Sequence, residues 1–355
     1  MNRIQDQIRG SLVGGAIGDA LGYPVEFLPE DDIFRRYGPQ GITAYDISRE
    51  GMAVLSDDTQ MTLFTAAGLL FGMRRQKNRG ISGDPRLYIS HAYLGWLHTQ
   101  EHSYSPALQP DRDFPTCAEL MRIRELFVCR APGNTCLSAL RIRREQERSV
   151  SDFIAHGLNS SKGCGGVMRV APLGLALHFW DAERAALEGA QVAAITHSHP
   201  LGYLSAGALV YILHRILYSP APLKEIIFDA AHGLKRLFGH SNGVRAMELI
   251  LKKAVSLSEN SLDDLTNIHS LGGGWVGEEA LAISLYCCLR YTDDFSKAVT
   301  VSVNHKGDSD STGAITGNIM GALFGYSRIP SQWKEDLQLQ DLLLQQADSL
   351  YLEFR

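Results

Sequence analysis

The chain has 355 residues, enough for one large domain or two ordinary ones, and its 45% hydrophobic and 21% charged content is ordinary for a soluble globular protein. Its formal net charge of −5 shows no sign of the basic surface that binds nucleic acids or anionic membranes, and this disfavours both as partners. The six cysteines form no C-x-x-C pair, which disfavours a zinc ribbon or a disulfide framework.

The N-terminal stretch MNRIQDQIRGSL carries charges where a signal peptide would need an apolar core. No apolar run along the chain is expected to have the length and composition of a membrane span. These features predict a reduced, cytoplasmic protein with no membrane partner.

Helical periodicity dominates the chain. Between residues 59 and 73 large apolar side chains recur among small ones, as in a buried helix, and similar patterns return at 203–218, 279–291 and 312–325. Alternating polar and apolar runs of the strand type are scarce. We therefore predict an all-α fold, a compact helical bundle.

Two helical segments carry glycine at spacings of three or four residues. Gly14 and Gly18 lie near the N-terminus, and Gly313, Gly317 and Gly321 lie near the other end. A glycine inside a helix costs roughly 1 kcal/mol relative to alanine, so we expect close helix–helix approach as the compensation. The alternative, that the first of these segments is a loop, stays open.

Residues 99–160 are less regular, because four prolines interrupt them. They could link two domains, but a helical pattern returns at 136–147, so we predict one domain over 1–355 with a loop-rich flank at 99–160. The basic run Arg141, Arg143 and Arg144 is expected to be a solvated helix face, with contact to a partner as the alternative. The amphipathic tail predicts a packing helix over 331–355.

Two acid clusters stand at the starts of predicted helices. The first is 56-SDDTQMTLF-64, in which Ser56 is the candidate N-cap of a helix that opens with Asp57 and Asp58. Capping alone explains that cluster simply, because acids at a helix N-terminus satisfy free amides and suit the helix dipole. The second cluster, at 308–312, is harder to explain this way, since one cap needs one acceptor and here five polar side chains are consecutive.

A calcium loop fails as an explanation of the second cluster. Residues 308–313 match the first half of an EF-hand loop, but its twelfth position is Ile319, where the loop needs a bidentate Glu. Instead, two helix N-termini bearing paired carboxylates could face each other and hold hard divalent cations such as Mg²⁺, Mn²⁺ or Ca²⁺. Converging carboxylates would repel one another without cations. Composition does not show whether the clusters meet.

Five stretches of the chain resemble the ADP-ribosylglycohydrolase family, which is named after the dinitrogenase reductase-activating glycohydrolase. They are 11-SLVGGAIGDALGYPVEF-27, 56-SDDTQM-61, 163-GCGGVMRVAPLGLAL-177, 196-THSHPLGYLSAGA-208 and 304-NHKGDSDSTGAITGN-318. The resemblance covers nearly the whole chain and keeps the motifs in order. It implies an all-α domain with two Mg²⁺ or Mn²⁺ ions in a central cleft, and an activity that removes ADP-ribose from modified side chains.

The resemblance also implies roles for individual residues. The metal ligands would be Ser56, Asp57, Asp58, Asp308, Asp310 and Ser311, with Asp310 as a candidate bridge between the ions. The substrate would be contacted by Gly165, Gly166, Met168 and His197. Glu26 matches a carboxylate on a mobile loop beside the metals and is the predicted catalytic acid–base group. Asp310 is the other candidate for that catalytic role.

Simpler explanations of these residues stay open. Glu26 could be an ordinary surface residue, the G-C-G-G stretch could be a turn, and His197 and His199 could be residues that start a helix. Lys306 stands where the family frequently has glycine. It could contact a substrate phosphate or point to solvent.

The implied reaction breaks the bond between C1″ of the distal ribose and a side-chain nitrogen or oxygen, through an oxocarbenium-like state. Two metal ions would bind the ribose hydroxyls and activate a water. The resemblance implies arginine-linked ADP-ribose on a protein partner, since family members that act on serine linkages more often have Thr at the position of Ser311. Serine-linked ADP-ribose, O-acyl-ADP-ribose and ADP-ribosylated nucleic acid are the alternatives. The role could be that of an immunity protein against an ADP-ribosyltransferase, or of endogenous regulation. A non-catalytic ADP-ribose-binding relative is the remaining alternative.

Overall fold

The computed structural model describes residues 2–146, 150–176 and 180–354, and within these ranges the chain forms sixteen α-helices and no β-strand. This confirms the predicted all-α fold. The helices are α1 (Arg3–Gly22), α2 (Glu30–Tyr37), α3 (Asp57–Arg79), α4 (Pro85–Glu101), α5 (Pro110–Asp113), α6 (Asn134–Glu145), α7 (Ala171–Ala176), α8 (Ala182–Ala194), α9 (Pro200–Tyr218), α10 (Leu223–Phe238), α11 (Gly243–Ser258), α12 (Asp264–Leu271), α13 (Gly277–Arg290), α14 (Phe295–Val303), α15 (Ser309–Phe324) and α16 (Gln340–Glu353).

The glycine-spaced segments at the two ends of the chain are helices packed backbone to backbone. A methyl group added at Gly14 would overlap the carbonyl oxygen of Gly317, so α1 and α15 lie as close as glycine permits. Two hydrogen bonds reinforce the pair: the Ser11 hydroxyl donates to the carbonyl of Asn318 (2.9 Å), and the Asn318 amide donates back to the carbonyl of Ser11 (2.8 Å). The alternative of a loop over 14–22 is wrong, because α1 runs to Gly22.

Helix α9 lies at the centre of the second half of the fold, packed against α8, α10, α11 and α13. Its 19 residues are long and apolar enough to cross a membrane by length and composition, contrary to the expectation that no such run exists. However, 83% of the 18-residue apolar stretch within this helix is buried inside the protein. Such burial is typical of a core helix, whose apolar surface is covered by its neighbours.

The loop-rich flank at 99–160 holds the end of α4, the short helix α5, three 3₁₀ turns and α6. Residues 147–149 of this flank lie outside the described residues. Arg143 corrects the prediction of a solvated basic face, because it is buried and its guanidinium lies 4.9 Å from the centre of the Phe153 ring. Its neighbours Arg141 and Arg144 are exposed, and each pairs with the carboxylate of Glu101 at 2.7 Å.

The tail helix predicted over 331–355 is shorter than expected, since α16 begins only at Gln340. The chain before it pairs with an earlier segment: the Ala53 amide donates to the carbonyl of Asp336 (2.7 Å), and the Gln338 amide donates to the carbonyl of Ala53 (3.0 Å). Asp336 also has a φ of 58°, which ends any helix there. Position 355 lies outside the described residues.

Candidate active site

The two acid clusters meet at a single cavity with a volume of about 380 Å³. Each cluster begins a helix: the Ser56 hydroxyl accepts from the Asp58 amide (3.2 Å) at the start of α3, and the Asp308 carboxylate accepts from the Ser311 amide (3.3 Å) at the start of α15. The side chains that line the cavity include Asp57, Asp58, Asp308, Asp310 and Ser311. The acid clusters therefore both cap their helices and converge, because the two helix starts place their acids around the same cavity.

Glu26 joins the acids from a third direction. It follows α1 and a 3₁₀ turn, and it is 6% exposed, so the alternative of an ordinary surface residue is wrong. One carboxylate oxygen each of Glu26, Asp308 and Asp310 lies within 4.8 Å of the other two. Among the described residues, Glu26 Oε2 and Asp58 Oδ2 are buried without a hydrogen-bond partner. Buried oxygens of this kind need a donor or a cation, because burial without a partner is costly.

Crowding and burial raise the pKa values of these acids. Burial, followed by the charges of Asp308 and Asp57, raises the pKa of Glu26 to about 9. Burial is also the largest cause that raises the pKa of Asp57 and Asp310, with neighbouring carboxylates second. The acids thus repel one another in the absence of cations, as expected from the sequence.

Asp19 is a structural acid of this site that the sequence analysis missed. It lies in α1, is fully buried, and its carboxylate accepts from the amides of Ser56 (3.0 Å) and Thr59 (3.1 Å) and from the Thr59 hydroxyl. It therefore anchors the first turn of α3 and sets the position of the acids there. The sequence does contain a sign of this role, because Asp19 is the only charged residue between Arg9 and Glu26. An isolated charge in a buried helix needs hydrogen-bond donors from elsewhere in the fold.

The glycine-rich stretch forms a second wall of the cavity. Cys164–Gly166 is a 3₁₀ turn, and Gly163, Gly165 and Met168 line the cavity beside it. Cys164, which was not predicted as a site residue, donates a hydrogen bond from its thiol to Asp308 Oδ2. Each Asp308 oxygen therefore accepts a hydrogen bond from the protein, which fixes the orientation of this carboxylate.

Two of the predicted site residues lie beside the cavity without lining it. An added methyl group at Gly166 would come within 3.2 Å of the Cβ of Ala193 and 3.4 Å of the carbonyl of Gly202, so this glycine lets helices pack close to the wall. Ser56 is fully buried, and its hydroxyl oxygen caps α3. Both are placed to support the residues that face the cavity.

His197 lines the cavity beside the glycine-rich wall and is buried. Burial and the charge of Arg169 lower its pKa to about 3, so the imidazole is neutral near pH 7. His199 is different, because its ring caps the start of α9 by accepting from the Leu201 amide (3.1 Å). The alternative of a residue that starts a helix therefore holds for His199, while His197 faces the candidate site.

Two exposed aromatic residues mark the mouth of the cavity. The rings of Phe27 and Trp275 stack with centres 5.8 Å apart and with exposed fractions of 68% and 45%. Both line the cavity, and neither was predicted from the sequence. Lys306 is exposed as well, and its amide donates to the Glu30 carboxylate (3.1 Å).

Comparison with known proteins decides the family. The model of the ADP-ribosylglycohydrolase family matches residues 1–355. The chain belongs to this family. It is similar to the ADP-ribosyl-dinitrogen reductase glycohydrolase of Rhodospirillum rubrum, with 26% identity over 98% of this chain and 96% of that protein. It is also similar to the ADP-ribosylarginine hydrolase Tri1 of Serratia proteamaculans (strain 568), with 24% identity over 98% of this chain and 79% of that protein.

A solved structure described as an ADP-ribosylglycohydrolase-related protein complex matches the fold with a TM-score of 0.70 over the full length of both chains, at 22% identity. ADP-ribosylglycohydrolases are hydrolases that use divalent metal ions. The donor set here fits such ions, because it consists of carboxylates and hydroxyls and includes buried oxygens with no donor in the described part of the chain. The acidic cluster is therefore a candidate metal site.

Proposed function

We propose that this ADP-ribosylglycohydrolase removes ADP-ribose from modified arginine side chains of proteins in a reaction that depends on two bound Mg²⁺ or Mn²⁺ ions. One observation carries the proposal: Glu26, Asp308 and Asp310 converge within 4.8 Å in a cavity whose facing wall is rich in glycine. The volume of about 380 Å³ lies within the range of small-molecule sites.

The ions would be held by carboxylates and a hydroxyl that line the cavity at the starts of two helices: Asp57, Asp58, Asp308, Asp310 and Ser311. Ser56 is the remaining proposed ligand and lies directly behind them at the start of α3. When bound there, such ions would lower the pKa of a water and bind sugar hydroxyls, which would supply a nucleophile and orient the ribose. The protein fixes the geometry beforehand, because Asp19 anchors the first turn of α3 and Cys164 orients Asp308.

Glu26 is the proposed acid–base group. Its Oε2 atom has no hydrogen-bond partner in the described residues, and its raised pKa favours the protonated form, so it could give a proton to the leaving nitrogen and then take one from the attacking water. Its closeness to Asp308 and Asp310 also makes it a competing ligand. Glu26→Gln separates the two roles: an acid–base Glu26 predicts lost release with metal affinity retained, and a ligand Glu26 predicts that both are lost.

The substrate would lie between the acids and the glycine-rich wall. Gly165 brings backbone close to the cavity without a side chain, which suits a diphosphate, and Gly166 allows the tight packing behind it. Met168 and His197 complete this wall. His197 would contact the ribose, as a neutral hydrogen-bonding group rather than a cation.

The arginine linkage rests on two supports. A relative with 24% identity over 98% of this chain is named for ADP-ribosylarginine hydrolysis. The family resemblance also implies a lean toward that linkage from serine, rather than threonine, at position 311. The decisive experiment compares release of ADP-ribose from arginine-modified and serine-modified proteins at equal Mg²⁺. Release from arginine alone supports the proposal, and release from serine alone overturns the linkage while the hydrolase assignment stands.

The proposed setting is the cytoplasm, with an ADP-ribosylated protein as the partner and no membrane or nucleic-acid partner. Removal of ADP-ribose would reverse the action of an ADP-ribosyltransferase. The protein would do so either as an immunity protein against a toxin or in endogenous regulation. Expression of the chain in cells exposed to such a toxin tests the immunity role, which predicts that protection is lost in Asp308→Ala.

A further inference from the structure

Arg169 is a fully buried guanidinium behind the candidate active site. It lies 4.4 Å from the centre of the Tyr93 ring, and its Nη2 atom donates to the Thr196 hydroxyl oxygen at 2.6 Å. Its remaining hydrogen bonds in the described part of the chain go to a carbonyl and to two sulfur atoms, which are neutral acceptors. A buried charge without a carboxylate partner is costly, which suggests that it serves a purpose at this place.

The Thr196 hydroxyl connects Arg169 to His197. Its oxygen lies 2.8 Å from Nδ1 of His197 while it accepts from Arg169, which can only donate. The single hydroxyl proton is thus available for one acceptor, and in the described residues His197 Nδ1 is the acceptor within reach. If Nδ1 carried the proton instead, the hydroxyl proton of a fully buried threonine would have no acceptor, which is costly.

The other ring nitrogen of His197 points toward the glycine-rich wall of the cavity. A methyl group added at Gly163 would lie 3.1 Å from Nε2, and one added at Gly165 would lie 3.4 Å from it. No hydrogen bond joins Nε2 to another described residue, and the ring lines the cavity. Side chains at these two positions would block the approach of a ligand to Nε2.

We propose that Arg169 and Thr196 are positioning residues which hold His197 as a neutral imidazole with its proton on Nε2. The site then presents a hydrogen-bond donor without a positive charge, and this donor suits an acceptor oxygen of the ligand. That ligand is ADP-ribose if the proposed function holds, and a ribose hydroxyl or a diphosphate oxygen offers the same acceptor chemistry. A neutral donor also avoids a cation beside the candidate metal site, where it would compete with the ions for the carboxylates.

The test is nitrogen NMR of the full chain labelled with ¹⁵N-histidine, at neutral pH and without substrate. The chain has 12 histidines, so the His197 signals are assigned from their loss in His197→Gln. We expect the shift pattern of a neutral ring protonated at Nε2. A ring protonated at Nδ1, or a charged ring, would overturn the proposal.

Two threonine variants test the route through the hydroxyl. Thr196→Val removes the hydroxyl at nearly constant volume and should shift the population of His197 toward protonation at Nδ1, whereas Thr196→Ser should keep the wild-type pattern. Circular dichroism and thermal melting confirm that both variants fold; Thr196→Ala provides the same loss of hydroxyl if the valine variant does not fold. An unchanged His197 pattern without the hydroxyl would refute the role of Thr196.

Binding of ADP-ribose, measured by calorimetry, connects the tautomer to function. Loss of one neutral donor should weaken binding roughly 3- to 10-fold in Thr196→Val and leave Thr196→Ser near wild type. Equal affinity in all three proteins would overturn the ligand contact. Failure of the wild type to bind ADP-ribose would contradict the proposed function instead, because the NMR result decides the tautomer without any ligand.

Discussion

Replacing Asp19 by asparagine tests whether an acid from α1 holds the start of α3 in place. Both oxygens of the carboxylate are used: Oδ1 accepts from the Ser56 amide (3.0 Å), and Oδ2 accepts from the Thr59 amide (3.1 Å) and the Thr59 hydroxyl. Asparagine has the same shape but offers one oxygen. Its NH₂ group would therefore face a backbone donor inside the fold.

The expected cost follows from this mismatch. A buried donor left without an acceptor costs about 1–3 kcal/mol. Part of this cost is offset, because burial already raises the pKa of Asp19, so the removal of its charge is itself favourable. We expect Asp19→Asn to lower the free energy of unfolding by about 2 kcal/mol, and a displaced first turn of α3 to weaken metal binding about tenfold.

The assay is urea unfolding with EDTA, followed by Mn²⁺ titration monitored by electron paramagnetic resonance. Asp181→Asn is the matched control: Asp181 is an exposed N-cap of α8 that accepts one amide, from Arg184 at 2.8 Å. Asparagine caps a helix as well as aspartate does, so the control should stay within about 0.5 kcal/mol of wild type. If Asp19→Asn matches this control in both measurements, the anchoring role of Asp19 is refuted.

Three further predictions concern the same framework. Gly317→Ala should lower the free energy of unfolding by about 1–3 kcal/mol, because the methyl group meets the backbone of Gly14; unchanged urea unfolding would contradict the close packing. Cys164→Ala should weaken Mn²⁺ binding about tenfold through loss of the donor to Asp308, and Cys164→Ser should restore it; equal affinities would exclude a positioning role for the thiol. In EDTA, the melting temperature should fall as pH rises from about 5 to 9, because Glu26 has a folded-state pKa of about 9 against an ordinary 4.5, so the folded protein holds a proton that the unfolded chain has lost. Mg²⁺ should reduce this slope, and melting that is independent of pH in EDTA would contradict the crowding of acids.

Local patterns were sufficient to predict the all-α class and several of the helices. The glycines of α1 and α15 indicated close packing, and hydroxyl and acid residues indicated where α3 and α15 begin. Such features depend on neighbours in sequence, so they can be read from one chain. The family resemblance then indicated that the two acid clusters meet, which no local pattern could establish.

The predictions that failed depend on contacts between distant segments. Arg143 was expected to be exposed from its basic neighbours, but its position over Phe153 buries it. The start of α16 was placed too early, because the pairing of Gln338 with Ala53 across the chain overrides the amphipathic pattern. Asp19 was overlooked since its partners, the amides at the start of α3, are backbone groups whose position only the fold reveals.

The central claim is that the converging acids hold divalent ions needed to release ADP-ribose. The most direct test measures ADP-ribose release from an arginine-modified protein after removal of metals and stepwise addition of Mg²⁺, for wild type and Asp308→Asn. We predict that release in wild type depends on Mg²⁺ and is lost in the variant, while the variant stays folded by circular dichroism. Full release in EDTA, or unchanged release by Asp308→Asn, would contradict the claim.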